Sequence, residues 1–462
     1  MPLFVFLPTD AVIWLLAALI PAAVLYASRR PAAAAKWKRV FSRPAPQACA
    51  AVLLFFLAIA AADSVHFRPR LASAPRTSEP VYAPAAVSLL DRALLPAIAK
   101  RERSYSAPFA SAEFDKSADP EGGKERVYRA LSGVTEAARS PEAKARDLAA
   151  RGAAGAAAGL ALALLALAAP AALRARKEKI PFRLALQRSR CAGFAAAAAA
   201  ILFLSALVFA FWTGYHPFGT DKTGNDVLYQ AIKSIRTAFA LGTLATLSML
   251  PFALVLGIAA GYFRGWVDDA VQYLYTTISS IPSVLLIAAC ALMIQVFIDR
   301  NPELLPTALE RADAKLLFIA VIIGVTSWAG LARLLRAEVM KLTALDFVTA
   351  SIAGGASHWR IMAKHLFPNV LHIVLIVSVI GFSDIVLYEA VLSYIGVGVD
   401  PSMNSFGSMI NAARGEMSRT PAVWWNLASA FAFMVTVVLA ANLFAAAVRD
   451  AFDPRTAKGG RK

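Results

Sequence analysis

Long apolar runs alternate with polar loops along the whole chain. Nine of these runs are long enough to cross a hydrocarbon layer of about 30 Å, which takes roughly 20 apolar residues in a helix. Their approximate bounds are 10–27, 46–62, 152–173, 191–212, 237–262, 270–297, 316–335, 372–398 and 424–448. Because a helix hydrogen-bonds its own backbone, it is the element expected within lipid. The pattern therefore predicts an all-α, polytopic membrane helix bundle of about nine transmembrane helices.

Composition supports the membrane prediction, and the position of the charges orients it. The 462 residues are 58% hydrophobic and 17% charged, whereas soluble domains are nearer half apolar and a quarter charged. The net charge of +17 would suit nucleic acid, but the loops on one side hold 24 of the 47 Lys and Arg residues and the short loops on the other hold 8. By the positive-inside rule, this predicts a multi-pass membrane protein in contact with lipid and with no nucleic-acid partner. Its N-terminus is expected outside and its C-terminus in the cytoplasm.

The chain divides into five predicted regions that differ in their loops and polar positions. Residues 1–62 contain two transmembrane helices, and residues 63–151 form a polar extracytoplasmic helical insert. Residues 152–190 add a third helix and a basic cytoplasmic loop. The main membrane domain covers 191–455, where loops are short and the polar stretches are specific, and a basic tail follows at 456–462. We place the functional domain in 191–455.

Local spacing predicts helices and kinks within these regions. In the insert, two apolar patches have helical spacing. They are Val87, Leu90, Leu94 and Ile98, and then Val127, Leu131 and Val134. Proline removes a backbone donor within a helix, so Pro251 and Pro282 predict kinks in two spans. The segment 213–236 is expected to contain an amphipathic helix on the outer side.

The most polar stretch of the main membrane domain reads GGASHWRIMAKHLFPN. Together with the residues before it, this stretch makes up 341–369, which we call the elbow. Residues 341–352 are predicted to form a short helix. The pair Gly354-Gly355 is predicted to end it, because glycine adopts the left-handed conformation without a Cβ penalty. Ser357 is a suitable N-cap for a second helix over 358–367.

Pro368 is predicted to stop the second helix of the elbow. The resulting helix–glycine–helix segment lies on the basic, inner side of the predicted membrane. It could transmit a push from a partner into the spans on either side, or it could be a solvated connector. Spacing alone favours neither interpretation.

The elbow also carries a pattern of small residues followed by His-x-x-Pro-Asn. Its members are Ala350, Gly355, Ala356, Ser357, His365, Pro368 and Asn369. The pattern resembles the cytoplasmic EAA loop of binding-protein-dependent ABC importers, although the Glu-Ala-Ala start of that loop reads Thr349-Ala350-Ser351 here. The resemblance implies that the elbow docks into a groove of an ATPase subunit and that His365 caps or braces it.

Two further stretches are similar to the oligopeptide/dipeptide (nickel) branch of this family. The first is HPFGTDKTGNDVLYQAIKSIRTAFALG at 216–242, with Asn225 where the branch has Arg. The second comprises 388–410 and the ending 448–455. The resemblance covers 191–455 and implies that the last six spans form a type I ABC importer permease core. The part of the chain before this region takes no part in it.

The resemblance implies a transmembrane permease subunit that couples ATPase motion to alternating access. The implied partners are a second related permease subunit, two ATP-binding subunits and an extracytoplasmic solute-binding protein. The implied cargo is peptides or similar small solutes. The sequence contains no recognisable nucleophile motif, metal set or phosphate loop, so the chain is expected not to be an enzyme. It is expected to bind no cofactor itself, and ATP-Mg would bind to the partner subunits.

Two acids, Asp384 and Glu389, fall inside a predicted span. A charged carboxylate near mid-bilayer costs about 2.5–3.5 kcal/mol on insertion scales, so each should face protein or water. Each is either a polar position on the translocation path or a hydrogen-bonded carboxyl between helices, and Glu389 could also lie near the outer interface. The alternative function is a secondary transporter or channel without an ATPase, which would use ionisable groups of this kind.

Three histidines lie seven residues apart, at His358, His365 and His372. Seven residues of helix rise about 10 Å, which is too far for two ligands that must each lie about 2 Å from one ion. The sequence therefore predicts no metal site.

Overall fold

The computed structural model describes residues 3–70, 81–118, 125–132, 140–179, 181 and 191–452. The predicted tail 456–462, most of the basic loop before residue 191, and Val134 of the second apolar patch lie outside the described residues.

Helices make up most of the described chain. In chain order they are α1 (Pro8–Arg29), α2 (Pro31–Val40), α3 (Pro44–Asp63), α4 (Leu89–Ile98), α5 (Pro141–Glu178), α6 (Ala192–Trp212), α7 (Val227–Phe263), α8 (Gly265–Ser279), α9 (Ser283–Arg300), α10 (Ala308–Leu342), α11 (Asp346–Ala353), α12 (His358–Ile361), α13 (Phe367–Tyr394), α14 (Phe406–Glu416) and α15 (Trp425–Phe452). One π-helical turn, Met362–Leu366, joins α12 to α13. Nine of the described helical segments are long and apolar enough to cross a membrane. The predicted all-α, polytopic helix bundle is confirmed.

Prolines act differently at the two positions where kinks are predicted. The predicted span 270–297 is divided, because α8 ends at Ser279 and Pro282 is the N-cap residue of α9. Pro282 produces a break rather than a kink, since a proline at a helix start offers no N–H to the preceding turn. By contrast, α7 continues through Pro251 as one helix of 37 residues.

The predicted outer amphipathic helix is also organised differently. Residues 213–226 form a series of turns, which we call the motif loop, and residues 227–236 are the first turns of α7. Val227 and Ile235 are fully buried. The segment is therefore part of a packed helix and not a separate surface helix.

The described part of the insert contains short strands as well as a helix. Strands β1 (Leu3–Val5), β2 (His66–Arg68) and β3 (Val87–Ser88) pair antiparallel in that order, and β4 (Ser117–Ala118) pairs with β5 (Arg126–Val127). Three residues of the first predicted apolar patch, Leu90, Leu94 and Ile98, lie in α4, which Ser88 and Asp91 start with a capping box. The helix prediction is wrong at Val87, which lies in β3. The helix prediction for the second patch is wrong at Val127, because the backbone there pairs with another strand.

The described residues fall into two compact units. The first comprises Met1–Phe6, Ala17–Thr237 and Asn404–Ala447, and the second comprises Leu7–Leu16, Ala238–Met403 and Val448–Lys462.

Small residues allow close helix packing in the first unit. A Cβ at Gly155 or Gly159 of α5 would come within 3 Å of atoms of α6, so only glycine permits this approach. At the other end of α6, the side-chain oxygen of Gln47 in α3 accepts a hydrogen bond from the Gly193 amide at 3.0 Å. These contacts join α3, α5 and α6 into one packed layer.

The second unit has its core where α7, α10, the elbow and α13 meet. Buried members of this core are Met249, Ala253, Ile258, Trp328, Leu331, Ala332, Leu335, Val339, Val348, Ile361, Leu366, Val370 and Val374. Three of them, Val348, Ile361 and Leu366, come from the elbow and are fully buried. The elbow is therefore packed into the spans on both sides of it.

Candidate functional site

The first helix of the elbow starts later than the sequence predicts. Helix α10 ends at Leu342 and α11 begins at Asp346, so the predicted helix 341–352 is wrong across its first turn. Arg264 explains the interruption, because its guanidinium donates to the Met340 carbonyl at 3.2 Å and to the Thr343 hydroxyl at 2.9 Å. These bonds satisfy groups at the end of α10 and fix the turn that follows.

Glycine ends α11 as predicted. Gly354 donates its amide to the Ala350 carbonyl at 2.9 Å, and Gly355 has φ +75°. Ala356 then donates to the Ser351 carbonyl at 3.1 Å. This is the arrangement by which a left-handed residue closes a helix end.

The second helix of the elbow starts as predicted but does not stop at the proline. The Ser357 hydroxyl accepts from the Arg360 amide at 3.4 Å. After α12, the chain passes through the π-helical turn and continues into α13, with Pro368 in the first turn of α13. The prediction that Pro368 stops the helix is wrong. The wider π turn lets the Phe367 amide bond to the Met362 carbonyl, so the helix can take up a residue that lacks an N–H.

The elbow has one buried face and one exposed face. Val348 and Ile361 are fully buried in the core of the second unit. Phe347 and Ile352 are exposed, and Trp359 is 71% exposed. The elbow is therefore fixed to the spans through one face and presents apolar side chains on the other.

Aromatic and polar contacts brace the elbow. His358 is hydrogen-bonded to the Tyr262 hydroxyl at the end of α7, with 2.8 Å between Nδ1 and Oη. The His365 ring lies 6.4 Å from the Phe347 ring of α11, and the Asn369 amide donates to the His365 carbonyl at 2.7 Å. His365 thus contacts α11 and the first turn of α13.

The predicted elbow residues differ in exposure. The exposed ones are Thr349, Ala350, Gly355, Ser357, Pro368 and Asn369, and the half-buried ones are Ser351, Ala356 and His365. The Ser351 hydroxyl donates to the Phe347 carbonyl at 2.7 Å, so it is used within α11.

The two acids of α13 lie in different surroundings. Asp384 is exposed. Glu389 is buried and accepts a hydrogen bond from the Ser393 hydroxyl at 2.7 Å. The structure thus gives Glu389 the bonded, buried position of a structural carboxyl and leaves Asp384 on the surface of this chain.

The motif loop contains a buried ionic group that sequence reasoning missed. His216 Nδ1 lies 2.6 Å from the Asp226 carboxylate, and His216 Nε2 lies 3.7 Å from Glu102 of the insert. Burial opposes protonation of His216, but the hydrogen bonds to Asp226 and Glu102 outweigh it and raise the pKa of His216 to about 9. The motif contains His216 and Asp226, but no sequence signal points from it to a residue more than a hundred positions earlier.

Comparison with known proteins places the second half of the chain in a family. Residues 253–458 match the family model described as "Binding-protein-dependent transport system inner membrane component". The dipeptide transport system permease protein DppC of Lactococcus lactis is 30% identical over 241 residues, which are 52% of this chain and 64% of that relative. This chain therefore spans less than two thirds of that relative's length.

Two further relatives have related names. The oligopeptide transport system permease protein OppC of Haemophilus influenzae is 28% identical over 242 residues, which cover 52% of this chain and 71% of the relative. The glutathione transport system permease protein GsiD of Pectobacterium atrosepticum is 28% identical over 285 residues, which cover 56% of this chain and 87% of the relative. The residues that match the family model contain the elbow, α10, α13 and the last turns of α7. The second half of the chain thus matches the binding-protein-dependent permease family, and the relatives named above are permeases of dipeptide, oligopeptide and glutathione transport systems.

Proposed function

We propose that this chain is the transmembrane permease subunit of an ATP-driven ABC importer for peptides or similar small solutes. The similarity to its relatives supports this cargo, since they are permeases of dipeptide, oligopeptide and glutathione transport systems. The chain itself forms the path through the inner membrane and is not an enzyme. Hydrolysis of ATP-Mg takes place on separate subunits, and this chain binds no cofactor of its own.

The observation that carries the proposal is the two-faced elbow. Apolar side chains exposed together mark protein contact sites, and Phe347, Ile352 and Trp359 are such side chains on a segment that belongs at the cytoplasmic side by charge. We assign this face to an ATP-binding subunit. The buried residues of the opposite face carry a push into α7, α10 and α13, because a packed core moves as a body between discrete arrangements.

Asp384 supports a second membrane partner. A charged carboxylate facing lipid near mid-bilayer costs about 2.5–3.5 kcal/mol, and Asp384 is exposed on the surface of this chain. A second, related permease subunit or the solute path between the two subunits would take it out of lipid. Two ATP-binding subunits and an extracytoplasmic solute-binding protein complete the assembly. In this assembly the N-terminus of the chain lies outside and the C-terminus in the cytoplasm.

Co-purification with candidate ATPases tests the docking face. Tagged Trp359→Ala protein in detergent is expected to retain roughly a tenth or less of the ATPase held by the unaltered chain, because a large aromatic side chain at the centre of an interface carries much of its binding energy. The matched control is Trp266→Ala, which removes a tryptophan that is 80% exposed outside the elbow. Gly355→Pro should also release the ATPase, since proline cannot adopt φ +75°.

Three results would contradict parts of the proposal. Equal retention by Trp359→Ala and the unaltered chain would place the ATPase contact elsewhere. Loss in both tryptophan variants would mean that the elbow is not specific. If the unaltered chain binds no ATPase while it transports solute, a secondary transporter or channel would replace the importer.

A further inference from the structure

The insert and the motif loop are joined by several kinds of contact within the first unit. We call the described residues of 88–132 the clasp. Its backbone pairs with the motif loop at three places. The Glu102 amide donates to the Gly224 carbonyl at 3.1 Å, the Phe109 amide donates to the His216 carbonyl at 3.0 Å, and the Thr220 amide donates to the Ser106 carbonyl at 3.0 Å.

Two glycines of the motif loop fit the clasp closely. Gly219 and Gly224 have φ +70° and +75°. A Cβ at Gly224 would lie 1.9 Å from the Glu102 carbonyl oxygen, and one at Gly219 would lie 2.4 Å from the Ser106 carbonyl oxygen. The Gly-x-x-x-x-Gly spacing of this loop thus leaves room for the backbone of the clasp.

A buried charge group crosses the contact. Glu102, His216 and Asp226 are each less than a tenth exposed. Glu102 also accepts from the Ser132 amide at 2.9 Å and from the Ser132 hydroxyl at 2.7 Å. Removing one partner of a buried ion pair leaves the other buried and unpaired, which is far more costly than losing a surface pair. Such a buried charge group is expected where the clasp and the motif loop are in permanent contact, and not where they touch only transiently.

A second ionic contact holds the first turns of α7. Lys233 Nζ lies 2.8 Å from Asp91 of α4 and 3.2 Å from Asp63 at the end of α3. The Tyr229 hydroxyl also donates to Asp91 at 2.8 Å. Both carboxylates come from the part of the chain before residue 191, which has no counterpart in the family pattern.

Apolar packing continues the contact towards the end of the chain. Tyr105 and Phe114 of the clasp belong to one apolar cluster. Its other members include Val227 of α7, Met409 of α14 and Trp425 of α15. The Phe114 and Trp425 rings meet edge to face at 5.2 Å. The clasp therefore shares one core with the starts of α7 and α15 and with α14.

We infer that the clasp sets the position of the motif loop and of the start of α7, through His216 held between Glu102 and Asp226 and through Lys233 held by Asp91 and Asp63. Glu102 and Asp91 are positioning residues. The clasp is thus a fixed structural part of the proposed permease at its extracytoplasmic end. The inference goes beyond the proposed function, and its test needs neither an ATPase nor a solute.

Cysteine labelling measures whether the clasp is closed. Thr220 is fully buried, and its hydroxyl donates to the Ser104 carbonyl at 2.8 Å. Thr220→Cys is placed in a full-length chain whose Cys49, Cys191 and Cys290 are replaced by alanine. Maleimide labelling of the detergent-purified protein is measured at several pH values. Each rate is divided by the rate of the SDS-unfolded chain at the same pH, which removes the effect of thiol ionisation.

Glu102→Gln is expected to raise the normalised labelling rate about tenfold or more, because local opening becomes easier when a charge-assisted bond is lost. The matched control is Glu125→Gln, which alters an exposed acid of the same insert and should leave the rate unchanged. Ser132→Ala removes only one of the bonds to Glu102 and should raise the rate less. It serves as the test if Glu102→Gln does not fold.

The pH dependence of the normalised labelling rate distinguishes positioning through protonated His216 from a general loss of structure. The charged groups that face His216 are Glu102 and Asp226, and Lys100 acts on Glu102. Labelling of the Thr220→Cys chain should rise as the pH passes about 9, where His216 loses its proton, and this step should move to lower pH in Glu102→Gln. Unchanged rates and an unchanged profile in both Glu102→Gln and Ser132→Ala would overturn the inference.

Discussion

The elbow and the motif loop are both polar stretches beside membrane helices, yet they are held in opposite ways. The elbow is anchored by apolar side chains such as Val348 and Ile361 and leaves apolar residues exposed. The motif loop is anchored by buried charges, with His216 between two carboxylates. An exposed apolar face suits the partner contact proposed for the elbow, whereas the motif loop, which is fixed within its own chain, pairs its charges inside.

The largest expected difference is between two glycines of the same backbone conformation. Gly224 and Gly355 both have φ +75°, but a Cβ at Gly224 would lie 1.9 Å from a backbone oxygen and one at Gly355 would meet nothing within 4 Å. Gly224→Val should lower the free energy of unfolding by roughly 4–6 kcal/mol, because strain and overpacking combine. Gly355→Ala should cost about 1 kcal/mol. Thermal melting in detergent measures both, and equal losses would contradict the contrast.

The next effect concerns the lysine of α7. Lys233→Met should destabilise the protein by roughly 3–5 kcal/mol, because Asp63 and Asp91 would be left without their cation. Lys364→Met, on the exposed side of the elbow, should change stability by less than about 0.5 kcal/mol. The two variants are compared by the same melting assay. A loss in Lys364→Met as large as that in Lys233→Met would show that charge matters equally in both regions.

The motif loop should also make stability depend on pH at both ends of the range. The pKa of His216 is raised to about 9, so its contribution is complete below about 6.5 and is lost as the pH rises through 9; it is on the order of 3 kcal/mol. Burial opposes ionisation of Glu102 and Asp91, but hydrogen bonds from His216 and Ser132 and the charge of Lys233 outweigh it and lower the pKa of each carboxyl. Their contribution is complete above the usual carboxyl range and is lost as the pH falls below it.

Melting temperature measured from about pH 2 to 10 checks this dependence, because carboxyl groups with a lowered pKa lose their charge only below their usual range of about 4. The unaltered chain should be most stable between the two losses. In Glu102→Gln the loss on the alkaline side should begin at lower pH, because His216 keeps only one carboxylate. A profile that does not shift in this variant would mean that the pair between Glu102 and His216 does not contribute to stability.

The apolar pattern predicts the spans well because burial in lipid depends on length and composition, which a sequence shows directly. The pattern fails at prolines, because a proline can either divide a helix or be accommodated within it. Pro282 divides a predicted span and Pro251 does not, and Pro368 is taken into a continuous helix by a π turn. Which of these occurs depends on neighbouring groups that accept or replace the missing hydrogen bond.

Sequence reasoning reaches only part of each candidate site. The short-range sequence pattern identifies the elbow, because Gly355 ends one helix and Ser357 caps the next within a few residues of their own positions. The same reasoning does not identify the partner of His216, because Glu102 lies on a segment with no place in the family pattern. Nor does it show which face of the elbow is exposed, since that depends on how Val348 and Ile361 pack against other helices.

The smallest expected effect on stability is at the exposed face of the elbow. Trp359 is 71% exposed and Trp328 of α10 is 2% exposed, so the same truncation has different consequences. Trp359→Ala should change the free energy of unfolding by about 0.5 kcal/mol or less, whereas Trp328→Ala should cost roughly 3–5 kcal/mol because it leaves a cavity. Melting in detergent measures this difference, and retention of ATPase subunits is measured on the same samples. If Trp359→Ala melts normally but loses the ATPase, the exposed tryptophan contributes to the contact with the ATPase subunit and not to folding. If it melts as early as Trp328→Ala, the elbow face is part of the core and the contrast with the motif loop is wrong.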